Sequence, residues 1–216
     1  MNTFVPALVG MCFNMKLLSE KKKIYLFLLE IIFSFVSIVI ATVFVNSGDT
    51  NFLARNIPYQ ITGFILFILI YFVIATINKE FKLAAIFKIF KTIISFVINM
   101  IIICFPQIFI INPTVITILE FVIPILEIPF AYFFCKGFYN LVSQKTNNIV
   151  LANKWKKLLT ANIILAVLNF ISHFINLLDI SSLPPVLFFA LVVVIYSLYI
   201  EVLKVIYIIK TTKELD

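Results

Sequence analysis

Six apolar runs, each near the length of a bilayer crossing, alternate in this chain with connectors that carry nearly all of its lysines. They lie at about 24–45, 61–77, 92–111, 115–134, 158–178 and 186–209, and roughly 20 apolar residues suffice for a transmembrane helix. Hydrocarbon offers backbone N–H and C=O groups no partner, so such runs must close their hydrogen bonds as helices. With 63% of its residues hydrophobic and 12% charged, against roughly 25% in ordinary soluble domains, the chain has too much apolar surface for a water-soluble globule. The expected fold is an all-α integral membrane bundle of six spans, a single polytopic domain over residues 1–216.

The placement of the basic residues orients the bundle. Lysines 16, 21, 22 and 23 precede the first run, and 79, 82, 88 and 91 lie between the second and third. Lysines 136, 145, 154, 156 and 157 separate the fourth from the fifth, and 204, 210 and 213 close the chain. Of 17 basic residues only Arg55 falls on the opposite side, so the positive-inside rule puts both termini in the cytoplasm of a cell with its spans in the plasma membrane. Asn112-Pro113-Thr114 and Asp179–Pro185 are turn signals, which pairs the spans into three hairpins. Residues 1–23 form a cytoplasmic or interfacial segment, because the run Phe4–Phe13 with Pro6 is too short to cross. Its apolar residues precede its lysines, the reverse of a cleavable signal peptide.

The connectors KEFKLAAIFKIFK and KGFYNLVSQKTNNIVLANKWKK mix lysines with aromatics and read as amphipathic helices on the inner leaflet, with Trp155 at headgroup level. Topology already accounts for these lysines, so no nucleic-acid partner is expected.

Polar and small residues inside the runs fall at spacings of four and three, which keeps them on one helix face. The fourth run carries Glu120, Pro124, Glu127 and Ala131, and its two prolines each remove a helix N–H. The first carries Glu30, Ser34, Ser37 and Ala41; the third Thr92, Ser95 and Asn99, then Pro106. The fifth has Asn162, Ala166, Asn169, His173 and Asn176, and the sixth Ala190, Ser197, Glu201 and Lys204. Such stripes either glue membrane helices together or line a site, and both readings place them in a common interior, with the unstriped second run at the periphery. Counting inward from the cytoplasmic edge, Glu30, Glu127, Glu201 and Lys204 reach a similar depth, with Glu120 and His173 nearer the outer face and Asn169 and Asn99 between. Intramembrane ionisable residues are costly and mark functional sites, which makes these eight the candidates and Glu127, between two prolines, the first among them. Glu201 and Lys204, three residues apart, can instead simply pair with each other.

No HExxH, GxSxG, Walker lysine loop or GxGxxG occurs, so no catalytic residue is proposed and no cofactor is expected. The lone histidine suggests no metal site, and three cysteines without a CxxC pair suggest no structural disulfide. Heavy use of Phe, Ile, Asn and Lys points to an AT-rich bacterial genome.

The run NTFVPALVGMCFNMKLLSEKKKIYLFLLEIIFSFVSIVI, followed by FILFILIYFVIATINKEFKLAAIFKIFKTIISFVI, resembles the sensor half of quorum-sensing receptor kinases of the accessory-gene-regulator type. In those proteins about six spans precede a cytoplasmic kinase. No phosphoacceptor helix or ATP-binding box follows Lys213, so the resemblance implies a ligand-sensing module that signals through a partner. The expected function is therefore a non-enzymatic sensing or accessory subunit that binds an apolar or peptide ligand, or partner helices, through its polar interior. The alternatives are a small proton-coupled transporter or permease subunit using the glutamates, and a homo-oligomeric membrane immunity or defence protein.

Overall fold

The computed structural model describes residues 18–45, 57–104, 113–146, 148–177 and 184–215. They form six helices: α1 Glu20–Val45, α2 Ile57–Ile74, α3 Lys79–Cys104, α4 Pro113–Lys145, α5 Ile149–Leu177 and α6 Pro184–Glu214. There is no strand among the described residues. The Phe4–Phe13 run, Pro106, Asn112 and residues 179–183 lie outside them.

Local chemistry explains the helix starts. Ser19, Asn78 and Asn148 precede α1, α3 and α5, and each side chain accepts a bond from the backbone N–H three residues on, at Lys22 (3.5 Å), Phe81 (2.8 Å) and Leu151 (2.9 Å). Both α4 and α6 begin on a proline, whose missing N–H costs nothing in a first turn. Pro124 and Pro129 stand inside α4 without ending it.

Successive helices run in opposite directions. One end of the bundle gathers the starts of α1, α3 and α5 with the ends of α2, α4 and α6. There Lys23 Nζ donates to Thr76 Oγ1 (2.8 Å), Asn78 Nδ2 to the Gly137 carbonyl (3.3 Å) and Asn148 Nδ2 to Glu214 Oε1 (3.1 Å), and Lys145 pairs with Glu20. α4 is the central helix, packed chiefly on α5 and α3, while α6 packs on α5 and α1, and α2 on α3 and α1.

Helical segments Phe121–Lys145, Ile149–Ile175 and Pro184–Glu214 are long and apolar enough to cross a membrane, and Ile61–Ile74 is a shorter apolar helix. Their outer faces are oily. On α6, Leu187, Phe188, Leu191, Val194, Ile195 and Val202 are all exposed, as suits hydrocarbon and would be costly in water.

The core is aromatic and lies near the capped end. Phe27 sits among Tyr71, Phe81, Phe134 and Phe138, with ring centroids 5.0–6.2 Å away and mostly edge-on or tilted, the arrangement aromatic quadrupoles favour. Phe138 stacks flat on Trp155 at 4.0 Å, and Trp155 Nε1 donates to Thr211 Oγ1 at 3.1 Å, which ties α4, α5 and α6 together.

Three expectations change here. Residues 79–91 are not a separate surface helix but the first half of α3, with Phe81, Ala84 and Ala85 buried. No glycine or proline interrupts the chain between Asn78 and Cys104, so the helical period runs through the lysines. Trp155 is fully enclosed instead of facing headgroups, because its indole has both a stacking partner and a hydroxyl acceptor inside the bundle. And α2 is not simply peripheral, since Ile70, Tyr71, Val73 and Ile74 are core residues at its inner end.

At Gly137, α4 packs closely on Phe81 of α3. A Cβ there would lie 2.9 Å from Phe81 Cε1 and 3.0 Å from Cδ1, and that ring is held by Phe27 and Phe138. Gly137→Ala should therefore destabilise the fold by about 1–3 kcal/mol, seen as a lower melting temperature in detergent. An unchanged melt would mean the two helices pack further apart than this.

Candidate functional site

Six charged side chains from four helices converge above the aromatic core. Glu30 on α1, buried, pairs with Lys88 on α3 at 3.2 Å. The Lys88 ammonium also stands 4.8 Å from the Phe130 ring centroid, where the negative face of the ring attracts it. One turn further along α3, Lys91 pairs with Glu127 on α4. On α6, Lys204 Nζ bonds Glu201 Oε1 at 2.6 Å, three residues apart; the lysine is buried and the carboxylate 41% exposed. Beside Glu30 the Tyr71 hydroxyl is buried without a hydrogen-bond partner of standard geometry.

These six charges line one partly open cavity of about 260 Å³, together with Phe27, Ile31, Phe130, Phe134, Ser197 and Leu198. A second cavity of about 180 Å³ shares Lys91, Glu127, Ser197, Glu201 and Lys204, and reaches past Pro124 to Asn162, Asn169 and His173. Three lysines against three glutamates make the layer formally neutral. Taking a charge out of water costs several kcal/mol unless an opposite charge and hydrogen bonds compensate, and here each lysine has a glutamate partner.

Of the residues singled out in the sequence, Glu30, Glu127, Glu201 and Lys204 share the larger cavity, and Asn169 and His173 line the smaller. His173 also sits 6.1 Å from the Phe121 ring. The side chains of Glu120 and Asn99 lie outside the described residues. Asn162 turns its amide to the Leu158 carbonyl of its own helix, at 2.8 Å. No group of His, Cys, Asp or Glu able to hold a metal ion occurs among the described residues.

Lys88, Lys91 and Tyr71 are the members that the sequence reading missed. A signal for Lys88 exists: Lys88, Thr92, Ser95 and Asn99 repeat at the four-three-four spacing, so the stripe on α3 starts one turn earlier than the apolar run does. Lys91 sits four residues before Ser95 on the same side. Nothing in the local sequence singles out Tyr71, which is one aromatic among many on α2.

The arrangement can bind and orient a small polar or charged group inside an otherwise apolar bundle. Comparison of the chain with protein-family models, with curated proteins and with solved structures gives no match.

Proposed function

We propose that the chain is a six-span plasma-membrane protein with both termini in the cytoplasm, acting without catalysis as a sensing or accessory subunit. Its interior cavity takes a ligand, and its lysine-rich end, where Glu20, Lys145, Asn148 and Glu214 link the helices, faces a membrane or cytoplasmic partner that carries the output. One observation carries this reading: a charge-balanced layer surrounds a cavity inside a bundle whose outer faces are apolar. Packing alone calls for small or neutral residues between membrane helices, whereas intramembrane charges that wall an open space mark a binding site. The resemblance to receptor sensor halves points the same way.

Affinity purification from native membranes in mild detergent should recover a second subunit in fixed ratio to this chain. A second reading, a small proton-coupled transporter using Glu30, Glu127 and Glu201, is favoured by the two adjoining cavities, which together extend from Glu30 to His173. It would replace the first if the chain were recovered alone and, in proteoliposomes, carried a pH-driven flux that Glu127→Gln abolished while the protein stayed folded.

A further inference from the structure

We infer that the cavity between α1, α3, α4 and α6 binds a small zwitterion with an apolar side group, of the free amino-acid type. This rests on the reading of that cavity as the ligand site. Charge balance is the first argument. With three ammonium and three carboxylate groups already matched, a ligand of net charge would leave one unpaired charge in a low-dielectric interior. A zwitterion adds one charge of each sign and leaves the balance untouched.

The second argument is that acceptors of both signs are open to it. Glu201 keeps 41% of its side chain exposed although Lys204 beside it is buried, so its carboxylate has room for a ligand ammonium. Lys91, with 25% of its side chain exposed, has ammonium hydrogens left over from its bond to Glu127 and can take a ligand carboxylate. Ser197 lies between the two cavities and its hydroxyl makes no hydrogen bond among the described residues, so it is available as a neutral donor.

The remaining wall and the size complete the match. Phe27, Phe130, Phe134 and Leu198 add apolar surface to the same cavity. The volume of about 260 Å³ lies below the roughly 300–1,000 Å³ of sites for drug-sized molecules. At roughly 30 Å³ per water it holds about eight or nine waters, or one compact organic molecule in their place.

The test is binding of radiolabelled L-phenylalanine to the full chain in lipid nanodiscs, with phenethylamine and phenylpropionate as competitors that each lack one charge. Saturable binding is expected, with both competitors at least about tenfold weaker than unlabelled L-phenylalanine or L-leucine. Leu198→Trp, which adds bulk at the half-exposed rim of the cavity and leaves every charge in place, should weaken binding at least about tenfold with the melting temperature kept. The proposal is overturned if the singly charged analogues compete as well as the amino acids, or if no saturable binding appears with protein that melts cooperatively. Absence of binding together with a co-purifying subunit would remove the ligand class and leave the accessory-subunit reading standing. Binding by a chain recovered alone would do the reverse.

Discussion

Lys91→Met lowers the melting temperature of the detergent-solubilised protein by roughly 6–12 °C, whereas the double change Lys91→Met with Glu127→Leu costs only a few degrees. Removing one member of a buried pair strands the other, and such losses run to about 3–5 kcal/mol. The lower end applies here, because the Lys91 and Glu127 side chains keep 25% and 17% of their surface exposed. At about 2–4 °C per kcal/mol for a chain of this size, 3 kcal/mol gives the stated range. Removing both charges together leaves no stranded group, and the methionine and leucine can pack against Phe130 and Ile123, which line the two adjoining cavities. If Lys91 instead stood in water with the other connector lysines, its loss would stay within about 0.5 kcal/mol, the ordinary range for a surface change. A melt within a degree or two of wild type would place Lys91 outside the layer.

Trp155→Ala has the largest expected effect on the fold itself. The indole is fully buried, stacked on Phe138 at 4.0 Å, edge-on to Phe134 and Tyr207, and bonded to Thr211. Truncating a large core aromatic costs about 3–5 kcal/mol, since the surrounding rings cannot collapse into the space. Trp155→Phe should cost clearly less, keeping a stacked ring but leaving the Thr211 hydroxyl without its donor. As the only tryptophan of the chain, Trp155 also reports on itself: its emission should be that of an apolar site and resist aqueous quenchers. An indole at the headgroup level would be quenched readily, and its removal would hardly change the melt.

Much of the architecture was legible from residue spacing. The all-helical class follows from the length of the apolar runs, and the stripes on α4, α5 and α6 do bring Glu127, Asn169, His173, Glu201 and Lys204 to the two cavities. A period near 3.6 is a property of one helix and can be read along one helix. Pairing between helices cannot. Lys88 and Lys91 look like the lysines of any cytoplasmic edge, and only the uninterrupted course of α3 carries them to Glu30 and Glu127. Trp155 is similar: beside Lys154, Lys156 and Lys157 it reads as an interfacial anchor, yet it lies on the face of α5 turned toward Phe138. Basic neighbours mark where a segment begins, and the buried face is set by what it packs against.

The neutral charge count was also hidden, for the same reason. Three carboxylates with one lysine is an unbalanced set, which desolvation cost resolves either by protonation or by further cations nearby. The structure takes the second course, with Lys88 and Lys91.

Charge reversal across α3 and α4 tests the layer most directly. Lys91→Glu and Glu127→Lys each place like charges together in the interior, and each should prevent recovery of a folded protein or depress its melting temperature severely. The double reversal restores an opposite pair at the same place and should regain most of the wild-type melting temperature. A double variant no more stable than the two single effects added together would show that Lys91 and Glu127 do not meet, and the charged layer would have to be given up.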